Sequence, residues 1–94
     1  MTLDYAGSEE KTISFKATIE VKDSDGNPIS GASVVLQGAH TTASGKTKED
    51  GTVEINVQNA KLEENQQQVY MKILVKAHGY QDFEDDEGIL IVRT

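Results

Sequence analysis

The chain contains no cysteine and no tryptophan, a single proline, and as aromatics only two phenylalanines and three tyrosines. Without cysteine there is neither a disulfide framework nor a thiolate metal site, an absence that fits the cytosol and bridge-free surface modules alike. So few aromatic rings leave material for one thin core and little for a deep apolar substrate pocket. No cluster of Lys or Arg offsets the formal charge of −7, so nucleic acid and anionic membrane surfaces are both repelled. That charge favours solubility and permits cations or basic protein surfaces as partners. No apolar run approaches the ~20 residues of a membrane helix. Met1 is followed by neither the basic nor the apolar region of a signal peptide. The chain therefore reads as either intracellular or an excised piece of something longer. The soft run from Met1 to Glu10 ahead of the first strand favours excision. Residues 1–11 are expected to be a flexible leader and residues 12–94 a single domain. At 94 residues, folding buries only about 60–65% of the surface of the unfolded chain, so the core is modest.

What is present is alternation. Ile13, Phe15, Ala17, Ile19 and Val21 share one parity, with Ser14, Lys16, Thr18 and Glu20 between them, which is the period of a half-buried strand. Residues 23–28 are dense in turn formers, with Asp25-Gly26 able to supply positive φ and Pro28 ending the ladder. Ala32, Val34 and Leu36 begin a second strand. The polar stretch 40–48 reads as an edge strand or irregular connection. Asp50-Gly51 marks a tight turn into Val53, Ile55 and Val57. Residues 58–68 lack a period and are expected to be a solvated loop. Val69, Met71, Ile73, Val75 and Ala77 form the second long alternating face. Residues 82–87 read as an acidic loop, and Ile89 to Val92 as a short strand covered on both faces. No helical period is sustained anywhere. The fold class expected is all-β, a small antiparallel Greek-key sandwich of about six to seven strands.

Three motifs carry a resemblance. Val21-Lys22-Asp23-Ser24-Asp25-Gly26-Asn27-Pro28-Ile29-Ser30-Gly31-Ala32-Ser33-Val34 resembles the opening of carboxypeptidase-regulatory-like domains, which have the prealbumin-like (transthyretin-type) sandwich. The wider Ig-like group of bacterial surface modules shares this opening. Thr47 to Val53 is similar to the family's Thr-x-x-x-Asp-Gly turn, and Val75-Lys76-Ala77-His78-Gly79-Tyr80 to its Val-x-Ala-x-Gly-Tyr strand ending. The resemblance spans about residues 13–93. It implies an accessory role in an extracellular or cell-surface multidomain protein. Elementary chemistry gives these residues structural work: Gly31 and Gly79 for backbone freedom, Pro28 for a stiffer turn, Tyr80 over the open end of the core.

Candidate chemistry is sparse, and no catalytic, cofactor-binding or metal-ligating residue is assigned. Nucleophilic catalysis needs a base held by a third group, and the two histidines, His40 and His78, lack such partners in sequence. The transthyretin-like fold also includes a purine-breakdown hydrolase ending in a Tyr-Arg-Gly-Ser-type motif, which Ile91-Val92-Arg93-Thr94 does not match. Asp23, Asp25 and Asn27 alternate like the first ligands of an EF-type calcium loop, but its twelfth position, which needs a bidentate acid, is Val34. A β-turn accounts for the same residues. The acids at 82–87 read as hydrated charge. An internal Lys–Asn isopeptide bond is not expected, because Lys16 and Glu54 have outward parity and residues 88–94 contain no Asn or Asp. Glycan recognition by exposed aromatics has only Tyr5, Tyr70, Tyr80 and Phe83 to draw on.

The reading is a monomeric, non-enzymatic spacer of a larger extracellular or cell-surface protein, without cofactor, contacting neighbouring domains in cis. The alternative is a module that binds a protein or glycan through the loops at 58–68 and 82–87.

Overall fold

The computed structural model describes residues 2–5 and 11–93. Among them run seven strands: β1 (Thr2–Tyr5), β2 (Lys11–Glu20), β3 (Ser33–Gly38), β4 (Thr41–Lys46), β5 (Thr52–Leu62), β6 (Gln68–Lys76) and β7 (Phe83–Arg93). They make a five-stranded sheet in the order β1-β7-β6-β3-β4 and a two-stranded sheet β2-β5. Pairing is antiparallel except between β1 and β7, which run parallel. Central strands β3, β6 and β7 in one sheet and β2 with β5 in the other is the arrangement of an Ig-like sandwich. No helix among the described residues is long and apolar enough to cross a membrane.

The alternation seen in the sequence sets the faces. Val34 and Leu36 of β3, Val53, Ile55 and Val57 of β5, Met71 of β6, and Ile89 and Ile91 of β7 all turn inward and are buried. Each such side chain contributes about 1.5–3 kcal/mol of transfer free energy. On the outward parity, Lys16 and Glu54 meet across β2 and β5 at 3.7 Å, both well exposed. The polar stretch after His40 is an edge strand, as its composition suggested. It is joined to β3 by the two-residue turn Ala39-His40, with φ of 49° and 62°.

Four expectations need correction. Thr2–Tyr5, assigned to a leader, is a strand paired with Leu90 to Arg93; one apolar/polar repeat in four residues is too short a pattern to reveal it. The rest of the leader through Glu10 lies outside the described residues, as does Met1. The segment from residue 58 is not wholly a loop, because β5 continues to Leu62. There Gln58 and Asn59 together oppose Ser14, and the pairing resumes at Ile13–Ala60. Asn59 has φ 60°, and its N–H donates to Ser14 Oγ at 3.3 Å. This bulge shifts the buried parity from odd (Val57) to even (Ala60, Leu62), which erases a simple period.

Likewise residues 83–87 belong to β7 rather than to a loop. Lys72 on the neighbouring strand reaches Glu84 at 2.8 Å and Asp86 at 3.4 Å. The hydrogen bond and charge of Glu84, with a smaller contribution from Asp86, hold the Lys72 ammonium above its usual range. Residues 86–88 bulge opposite Lys72, and Gly88 is required there because a Cβ would lie 2.4 Å from Ile73 Cγ1. Finally, the last apolar run is not covered on both faces: Ile89 and Ile91 are buried, whereas Leu90 and Val92 are partly exposed.

Candidate functional site

The two sheets close unequally. Where β4 and β5 meet, Thr41 Oγ1 donates to the Gln58 carbonyl at 2.9 Å, and Gly45 lies so close to Val53 that a Cβ would be 2.8 Å from its Cγ2. On the other side β2 ends its sheet, with no partner strand beyond it among the described residues. A groove of about 620 Å³ opens there, between the C-terminal end of β2 and the start of β7. Its apolar walls are Ile19, Val21 and Ile29 on one side and Ile73, Val75 and Ala77 on the other.

Local chemistry shapes each wall. Val21 N–H donates to the Gly51 carbonyl at 2.8 Å, and the Val21 carbonyl accepts from Ile29 N–H at 3.0 Å, so Ile29 is folded back beside the strand. Thr47 secures that return. Its Oγ1 donates to the Ile29 carbonyl at 2.6 Å and accepts the Ala32 N–H at 2.9 Å. Thr47 is the one buried polar side chain among the described residues. Its place at the head of the Thr-x-x-x-Asp-Gly motif follows from these two bonds. Asp50 Oδ1 accepts the Thr52 hydroxyl at 2.6 Å and the Thr52 N–H at 3.0 Å. Chiefly through the hydroxyl bond, this holds the Asp50 carboxyl below the ordinary range.

Two aromatics stand on the rim. Tyr80 is 51% and Phe83 55% exposed. Gly79 has φ 84° and lets Tyr80 N–H reach back to the Ala77 carbonyl at 3.1 Å, turning the chain at the groove's end. Tyr80 thus lines the groove together with Phe83. Glu20, Asp23 and Asp85 add three carboxylates to the lining against one ammonium, Lys22, which sits 3.0 Å from Glu20.

The residues singled out in the sequence mostly lie elsewhere or are already occupied. Asp23 Oδ1 accepts the N–H groups of Asp25 at 3.0 Å and Asn27 at 2.9 Å, the capped turn that their spacing favoured. His40 pairs with Glu63 at 3.0 Å through Nε2, on the exposed surface. His78 is exposed, and neither histidine lines the groove. Tyr70 points outward at 39% exposure, apart from Tyr80 and Phe83; the Tyr5 side chain lies outside the described set. Sequence reasoning missed the groove because alternation reveals faces and not which edge lacks a neighbour.

Residues 10–82 match the family of the macroglobulin domain MG4. No curated protein and no solved structure matches. The match carries the Ig-like sandwich and does not extend to the carboxypeptidase-regulatory-like family. With most of its length matched, the chain belongs to the macroglobulin domain MG4 family.

Proposed function

We propose that this macroglobulin domain is a non-enzymatic structural module of a longer extracellular or cell-surface protein, monomeric in itself and held by neighbouring domains in cis. The observation that carries the reading is the family match over residues 10–82, since macroglobulin domains are parts of multidomain proteins. Geometry is in keeping with it. The domain is a rod of 44 × 19 × 18 Å, and parallel pairing directs β1 and the end of β7 toward the same pole. The chain thus runs the same way along the strands at Thr2 and at Arg93, in keeping with an in-line module. The turns shared with carboxypeptidase-regulatory-like domains, Asp23 to Ile29 and Thr47 to Val53, speak for the same kind of accessory role.

Enzymatic chemistry finds little support. Each histidine is exposed and outside the groove, so no imidazole stands over the apolar walls. The test is the mass of the native gene product, by immunoblot of source cells and medium with an antibody to this domain. A band far above 10.2 kDa in the envelope or medium is the expected result. A single band at that mass in the cytosol would sink the proposal.

A further inference from the structure

Among the described residues the edge of β2 away from β5 is unpaired, and this free edge and the groove beside it form one surface. In a strand, the backbone N–H and C=O of successive residues point to opposite sides. Val21 directs both toward Gly51 and Ile29, so by alternation Ile19 and Ala17 face β5, while Thr18, Glu20 and Lys22 face away from it. Of the outward set, Glu20 and Lys22 line the groove, whose far wall is Phe83 and Asp85 at the start of β7. β1 does not cover this region, since it pairs with β7 only from Leu90 onward. Consequently Ile19 and Val21, although inward in parity, remain partly exposed, and Phe83 is half exposed.

We infer that the free edge of β2 takes up an extended strand from another polypeptide, apolar at alternate positions and basic at its ends. Strand addition supplies main-chain hydrogen bonds to Thr18, Glu20 and Lys22, and alternate side chains enter the pockets beneath. Those pockets are apolar, walled by Ile19, Val21, Ile73 and Val75, so every second residue of the incoming strand is apolar. Charge fixes the rest. The groove holds three carboxylates against one lysine already paired with Glu20, on a chain of net charge −7. Asp85 shares the inward parity of Ile73, its register partner. An inward charge beside an open edge deters indiscriminate pairing, so a fitting strand brings a cation to it. The same charge opposes a second copy of this acidic chain. The inference goes beyond the structural role and does not depend on where the parent protein resides.

The experiment titrates the isotopically labelled full chain with three synthetic peptides, followed by backbone NMR. One alternates Val and Thr between terminal lysines, the second has terminal glutamates instead, and the third carries a central proline. The lysine-ended peptide is expected to shift and protect the amides of Thr18, Glu20 and Lys22. The glutamate-ended peptide binds at least about tenfold more weakly, through like-charge repulsion, and the proline peptide does not bind. Glu20→Pro removes an N–H that β5 does not use, so the variant keeps its melting temperature and loses about tenfold or more in affinity. Asp85→Lys, at an exposed position, leaves two carboxylates against two ammonium groups in the groove and narrows the preference between the two charged peptides. No binding of the lysine-ended peptide at about 1 mM, equal binding of all three, or perturbation confined to other amides overturns the inference. A concentration-dependent dimer protecting these amides without peptide also overturns it, in favour of a second copy.

Discussion

The β4–β5 side of the sandwich and the β2–β7 side are built from the same kinds of residue, yet they end in different states. Around β3 and β5 the inward side chains are sealed: Val34, Leu36 and Val57 are fully buried, β4 covers the edge, and Thr41 ties it to β5. Along β2 the inward series is Ile13, Phe15, Ala17, Ile19 and Val21, of which only Ala17 is buried to the same degree. Apolar content does not separate the two series. What separates them is a neighbour: β4 closes one side, and no strand among the described residues pairs with the edge of β2 that faces away from β5. Sheet topology, rather than composition, decides where an apolar face becomes a surface that can be used.

The contrast is sharpest under truncation. Leu36→Ala on the closed side should cost about 2–5 kcal/mol in chemical denaturation, because a sealed site leaves a cavity. Phe83→Ala on the open rim should cost less than about 1 kcal/mol, since much of the ring is already in water. Similar costs at both positions would erase the difference between the sides. Next in size is Thr47→Val, which keeps the shape but strands the Ala32 N–H and the Ile29 carbonyl. A loss of about 1–3 kcal/mol is expected, with NMR shift changes concentrated at Ile29 and Val21. Changes spread evenly over the molecule would mean that Thr47 does not anchor the groove wall.

The smallest effect is electrostatic. The carboxyl of Asp50, held low chiefly by the Thr52 hydroxyl, titrates in the folded chain below the ordinary aspartate range. A depressed folded value contributes stability that is present above the unfolded pKa and lost as pH falls through the folded one. Thr52→Val, which removes the hydroxyl donor at 2.6 Å, should bring the Asp50 titration back toward the ordinary range. An unchanged Asp50 titration in that variant would show that the hydroxyl is not the cause.

The sequence made the faces legible and left the neighbours hidden. Parity alone identified the inward residues of β2, β3 and β6 and the first half of β5. It failed after Val57, where the two-against-one bulge at Gln58 and Asn59 exchanges odd for even, and a correct strand looks aperiodic. It failed at residues 83–87, because five acids in six residues from Asp82 read as hydrated charge until Lys72 and Lys76 appear across the ladder, at 2.8 Å from Glu84 and 3.9 Å from Asp82. Tyr80 and Phe83 were visible singly as exposed aromatics. That they share a groove with Ile19 and Ile29 depends on strand order, which local pattern does not encode. Thr47 was visible as a motif residue, while its two hydrogen bonds span fifteen and eighteen positions.

Amide hydrogen exchange along β2 in the free, monomeric chain tests the unequal closure most directly. Ala17 and Ile19, whose N–H groups face β5, should exchange slowly, and Thr18, Glu20 and Lys22 between and beyond them should exchange fast. Protection of Thr18 and Glu20 equal to that of Ala17 and Ile19 would contradict the account, because it would mean that the edge of β2 is already covered.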